Sequence, residues 1–173
     1  MTVTLRDARI SSSDQEWIRS VYRSYLSELS VGRSGLFPAL GEWPAREEEF
    51  LAGWLQDPAA QPFVILLDGQ RAGFALVVRP PAFPRRTVDY RMAEFYVADS
   101  ARRRGVGAAA AALLFARFSG EWEVLEDEHN RGALGFWRRV ISAATQGRYA
   151  ESRVSGEVRH QFRTTARPAV PST

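Results

Sequence analysis

MAEFYVADSARRRGVGAAAA, residues 92–111, passes from strand to helix through a short basic turn. Its first half belongs to an apolar run over Val88–Val97 that reads as a strand. Its last residues open an alanine-rich segment, Ala108–Phe118, that reads as a helix. Between them stand a turn, Ala98–Ala101, and the run Arg102-Arg103-Arg104-Gly105-Val106-Gly107. At a helix start the first backbone N–H groups have no partner and the dipole is positive. Gly105 and Gly107 remove side chains, so an anion can approach the amides closely. Three arginines add charge at the same point. A diphosphate matches this better than a single carboxylate. On its own the run is equally readable as a turn feeding a helix. It lacks the third glycine and the distal acid of a dinucleotide fingerprint, and the Lys-Ser/Thr of a phosphate loop.

Working outward, Thr2–Arg9 alternates as a first strand. Ser13 and Glu16 have the spacing of a capping box. Behind them Trp17, Val21, Tyr25 and Ile18, Tyr22, Leu26 form two adjacent apolar stripes on one helix. Val31–Trp43, with Gly32, Gly35, Pro38 and Gly41, reads as a loop. A second helix is expected from Pro44, with Phe50, Leu51, Trp54 and Leu55 as its buried face and Asp57-Pro58 as its end. Phe63–Leu67 and Ala72–Val78 flank Asp68-Gly69, a hairpin signal. Pro80, Pro81 and Pro84 mark a break. Trp122–Glu126 reads as a strand, Ala133–Val140 as a helix, and two strands close the chain, the last over Gly156–Thr164. The order β-α-α-β-β-β-α-β-α-β-β predicts an α/β (α+β) single domain over residues 1–166. Residues 167–173, with two prolines, are expected to be a disordered tail.

Composition removes whole classes of chemistry. The chain has 173 residues, its 23 basic residues are all arginine, and it has no cysteine. No lysine means no Schiff-base chemistry, and no cysteine means no thiolate nucleophile, disulfide or thiolate metal site. His129 and His160 have no metal-ligand spacing, so no metal is expected. The pI of 9.8 follows from arginine's high pKa, and a net charge of +3 is modest. Nucleic acid is therefore not expected as a partner. The longest uncharged apolar stretch, Gly105–Ala116, is shorter than the ~20 residues of a membrane span. With no signal-peptide pattern at the N-terminus, the cytoplasm is the expected compartment.

Arg-x-x-Gly-x-Gly after a strand ending in Val97 resembles the acetyl-CoA signature of the GNAT acyltransferase superfamily. A second motif agrees. Asn130, Ala133 and Phe136-Trp137 resemble that family's Asn-x-x-Ala-x-x-Phe-Tyr pattern. Ala-Glu-Phe-Tyr-Val before the arginines and Phe-Trp-Arg-Arg in the later helix are similar to a group of bacterial predicted acetyltransferases. The resemblance implies a mixed, mostly antiparallel sheet of about seven strands, splayed at the signature strand, with about four helices on its faces. It implies that pantetheine pairs with backbone near Phe95 and Val97, with the Val97 N–H donating to the thioester oxygen. It assigns the pyrophosphate to Arg102, Arg103, Arg104, Gly105, Val106 and Gly107. Asn130 would bond near the pantetheine, or cap a helix, or both.

The implied reaction is direct transfer of acetyl from acetyl-CoA to a small-molecule or peptide amine. The other reading is a CoA-binding protein with weak or lost catalysis. Glu94, in an apolar strand, is the candidate base, unless it pairs with an arginine. Tyr96 shares a face with Glu94 in a regular strand and is the candidate second catalytic group. Trp137 stands where many family members have a thiolate-protonating tyrosine, and indole has no proton to give. Tyr96 or Tyr149 then protonates the sulfur, or the thiolate leaves without help, with Trp137 packing on pantetheine or core. Tyr22, Tyr25, Phe37, Trp43 and Trp54 are candidates for the acceptor pocket. Glu126-Asp127-Glu128 reads as a solvated acidic loop, or as an attraction for a cationic amine. Either a monomer or a homodimer is compatible.

Overall fold

The computed structural model describes residues 1–31, 51–80 and 88–165. In chain order these contain β1 (Val3–Asp7), α1 (Ser12–Val31), helical residues 51–56 (α2), β2 (Ala60–Leu67), β3 (Gln70–Val78) and β4 (Tyr90–Val97). There follow α3 (Val106–Arg117), β5 (Gly120–Asp127), α4 (Arg131–Thr145), β6 (Tyr149–Val154) and β7 (Glu157–Thr164). These strands form one seven-stranded sheet in the order β1-β2-β3-β4-β5-β7-β6. Every neighbouring pair is antiparallel except β4–β5, which is parallel. The expected start of α2 at Pro44, the preceding loop and the expected C-terminal tail lie outside the described residues.

Each element follows from its residues. Asp68 and Gly69 both have positive φ, 48° and 81°, as a two-residue hairpin turn requires. β2 and β3 are buried on both faces, which is why they read as nearly continuous apolar runs. Phe63, Ile65 and Val77 face α3 and α4, together with Trp122, Leu114 and Ile141. Val64, Leu66 and Phe74 face the other way, against Ile18, Tyr22 and Tyr25 of α1 and Leu51 of α2. Both stripes expected of α1 thus meet the same face of the sheet.

The capping box does not form at Ser13. α1 begins one residue earlier, and the Asp14 and Gln15 amides donate to the Ser11 carbonyl. The reason is Asp14, whose carboxylate is fully buried between two arginines. Arg6 of β1 donates to it at 2.6 and 2.8 Å, and Arg71 of β3 at 2.7 Å. The Arg6 hydrogen bond is the largest factor holding this carboxyl below its ordinary range. The first turn of α1 is thereby tied to two strands of the sheet.

The feature that positions the site is a change along β4. Its first residues, Tyr90–Met92, pair with Trp122–Val124 of β5, and there the pairing stops. β5 continues with β7 over eight register positions. Beyond Met92 the two central strands therefore diverge. A bulge coincides with the divergence: Val77 is opposite Met92 and Leu76 is opposite Glu94, so Ala93 is an extra residue. In an unbroken strand Met92 and Glu94 would share a face. The bulge swaps the faces. Met92, Phe95 and Val97 pack toward α3 and α4, and Tyr96 packs toward α1.

Candidate active site

Where β4 and β5 part, they open a cavity of about 1140 Å³. Its walls come from β4, the α3 N-terminus, the end of β5 and one side of α4. The main-chain groups of β4 set its chemistry. The Ala98 amide donates to the Ala72 carbonyl, so Ala98, Tyr96 and Glu94 present their N–H and C=O to β3. The alternation of an antiparallel ladder turns those of Phe95 and Val97 toward the gap. Gly73, opposite Val97, lets the two strands lie this close: a Cβ there would meet the Tyr96 carbonyl oxygen at 2.2 Å.

At the mouth, the Ala109 amide donates to the Gly105 carbonyl, so Gly105 caps α3. Its φ of +78° is a conformation suited to glycine. Among the described residues no side chain caps this helix start, and the first amides of α3 remain available to a ligand. Gly107 packs tightly: a Cβ would lie 3.2 Å from the Phe136 ring. The three arginines separate in role. Arg102 donates to the Val97 carbonyl at 2.7 Å, pairs with Asp99 at 2.6 Å and lies over the Tyr96 ring. It therefore fixes the turn. Arg102 and Arg103 both line the cavity, and Arg104 is exposed and does not line it.

Glu94 lines the cavity and accepts a hydrogen bond from the Tyr25 hydroxyl of α1. Its partner is thus a neutral tyrosine and not an arginine. Burial raises its pKa to about 7, the Tyr25 hydrogen bond opposes the rise, and the charge of Glu126 adds to it. The bulge precedes Glu94, so Glu94 and Tyr96 keep the shared face expected of them. Tyr96 is buried, its ring 5.6 Å from Tyr25 and 5.4 Å from Phe74.

On the opposite wall, Asn130 caps α4 through the Ala133 amide (3.2 Å) and donates to Glu126 at 3.0 Å. Trp137 is buried against Phe95 and Phe136, with its indole close enough to Glu126 to favour the ionised carboxylate. Glu126 is therefore part of the site and not of a solvated loop. Burial raises its pKa to about 7 as well, against the hydrogen bonds from Asn130, Asp127 and Trp137. The sequence held a signal for this: Glu126 is in phase with Trp122 and Val124, the buried face of β5. Tyr149 does not line the cavity, and its ring lies 6.0 Å from that of His160. Of the acceptor candidates, Tyr25 lines the cavity, Tyr22 is core and Trp54 packs edge-on against Tyr22. Phe37 and Trp43 lie outside the described residues.

A splayed parallel pair, a glycine-capped helix start at its mouth and a carboxylate beside it form one arrangement. Residues 18–141 match the acetyltransferase (GNAT) family. The chain belongs to the GNAT family. No curated protein matches it. Among solved structures, an acetyltransferase from Thermus thermophilus is similar at 17% identity and TM-score 0.68, over 94% of this chain and 97% of that one. A GNAT-family acetyltransferase from Streptococcus agalactiae matches at 14% identity and TM-score 0.68, over 94% and 96%. Campylobacter jejuni N-acetyltransferase PseH, in complex with acetyl coenzyme A, matches at 13% identity and TM-score 0.58, over 95% and 100%. At these identities the similar structures speak for the GNAT fold.

Proposed function

We propose that this GNAT chain transfers an acetyl group from acetyl-CoA to a primary amine of a small molecule or peptide. The observation that carries the reading is the gap between β4 and β5, into which the Phe95 and Val97 main chain turns. An extended pantetheine arm fits such an edge as an added strand would. The α3 amides and Arg103 suit the pyrophosphate, at the glycine-capped helix start. Acetyl-CoA supplies an acyl group activated as a thioester, and the chain supplies the rest.

Glu94 takes a proton from the amine. A carboxylate with a pKa of about 7 is half ionised near neutral pH, and its basicity is close to the optimum for the task. Tyr25 orients it through the hydroxyl hydrogen bond. The Val97 N–H, which turns to the gap, donates to the oxygen on which negative charge develops in this reading. Asn130 is engaged with Ala133 and with Glu126, and acts by holding the wall of the cavity.

The reading is tested with acetyl-CoA by calorimetry and then with tyramine, spermidine, free amino acids and a tetrapeptide as acceptors, following thiol release. Sub-millimolar binding and turnover of at least one amine are expected. Absence of binding to both acetyl-CoA and CoA would overturn it. Binding without turnover would favour the CoA-binding alternative, against which Glu94 argues.

A further inference from the structure

Transfer to an amine leaves a thiolate that must be protonated, and Trp137 cannot do it. Tyr96 lines the cavity from the α1 side of the sheet, the side of Glu94, and Tyr149 does not line it. Glu126 stands on the α4 side, hydrogen-bonded into the wall by Asn130. We propose that Glu126 is the general acid that protonates the departing sulfur of CoA. The inference rests on the acetyl-transfer reading and assigns a second catalytic residue to the same site.

Three observations place it there. Glu126 lines the cavity near the end of β5, and Phe136 and Trp137 line the same wall. The Asn130 amide and the Asp127 N–H both donate to its Oε1, which puts the proton on Oε2. Glu94 and Glu126 approach the gap from opposite faces of the sheet, one held by α1 and the other by α4. The bulge at Ala93 creates this opposition, because it turns Glu94 toward α1. A base on one face and an acid on the other match a reaction in which an amine enters and a thiol leaves.

The groups that face Glu126 are Glu94 from β4, Tyr25 from α1, Asp127 beside it, and the neutral Asn130 and Trp137 from α4. Val158 is its register partner on β7. Glu157 of β7 and Arg139 of α4 line the same cavity. The charge of Glu126 raises the Glu94 pKa, so an ionised Glu94 is favoured when Glu126 is neutral. In the productive state Glu94 is ionised and Glu126 carries the proton. The C–N bond forms as Glu94 accepts the amine proton. The C–S bond breaks, the electron pair stays on sulfur, and Glu126 protonates it to give CoA thiol. Glu94 then holds one proton more and Glu126 one fewer, and exchange with water resets both.

The test is kcat against pH for the wild type, E126Q and E126D with the best amine of the panel above, beside acetyl-CoA affinity by calorimetry. The wild type is expected to lose rate at alkaline pH as Glu126 ionises. E126Q is expected to lower kcat about thirtyfold, to keep the acetyl-CoA Kd within about threefold and to lack the alkaline limb. E126D is expected to restore part of the rate and to shift that limb. A kcat within about twofold of wild type, or an alkaline limb unmoved in both variants, would overturn the proposal. So would a loss of acetyl-CoA affinity that accounts for the whole rate loss. If E126Q does not fold, the limb in E126D decides alone. A wild type that neither binds acetyl-CoA nor releases thiol would overturn the parent reading first, and this one with it.

Discussion

β4 and β5 are the same two strands along their whole length, yet their halves behave oppositely. Over Tyr90–Met92 and Trp122–Val124 they pair, and aromatic rings close over the join. Trp122 is fully buried, its ring 5.0 Å from Phe115 and 5.2 Å from Tyr90, and its indole donates to Phe118 and Thr164. Past Met92 the strands part, and the opening is lined by Glu94 and Glu126. The paired half carries stability. The open half holds two carboxyls whose burial raises them to about 7, an arrangement that costs solvation and that the proposed chemistry would use. Substitutions in the two halves should therefore separate folding from activity.

The largest effect is expected in the paired half. Trp122→Ala should cost about 4 kcal/mol of stability in denaturant unfolding, since it leaves a large cavity and removes the donor to two acceptors. In the open half, Glu94→Gln should lower kcat at least about a hundredfold with acetyl-CoA affinity within about threefold. A stability change of the same rank as that of Trp122→Ala would break the contrast. Asp14→Asn should cost about 2 kcal/mol, because it removes a buried charge from Arg6 and Arg71. The folded carboxyl is held below its ordinary range, so this contribution is full above that range. It is lost as pH falls through the lowered folded value, which acid unfolding of wild type and variant will show.

Two smaller effects sharpen the comparison. Gly107→Val should weaken acetyl-CoA binding about tenfold, since a Cβ at this position already meets the Phe136 ring at the cavity mouth. Tyr25→Phe removes the hydrogen bond that lowers the Glu94 pKa, so that pKa should rise above about 7. At neutral pH more of the base is then protonated, the rate falls by about threefold, and the acid limb of the profile moves to higher pH. A profile that moves to lower pH would contradict the role given to Tyr25.

The elements were legible in the sequence where local chemistry decides them. Asp68-Gly69 names its own turn, and Gly105 and Gly107 mark the α3 start in residues 92–111. The gap was legible only through family resemblance, because strand divergence depends on which partners β5 keeps, and Ala93 carries no mark of a bulge. Glu126 was hidden in an acidic triplet, although its alternation with Trp122 and Val124 pointed inward. Asp14 looked like a helix-start acid, and its burial depends on Arg71, 57 residues away. Tyr25 fitted a core stripe equally well, and its hydroxyl acquires meaning only when β4 brings Glu94 to it.

The most direct test of the account is residue-resolved amide hydrogen exchange with and without CoA. The amides of Phe95 and Val97 should exchange much more slowly when CoA is bound, while those of Tyr90–Met92 keep their protection unchanged. CoA binding that leaves Phe95 and Val97 as exposed as before would contradict the claim that the opening between β4 and β5 is where the cosubstrate lies.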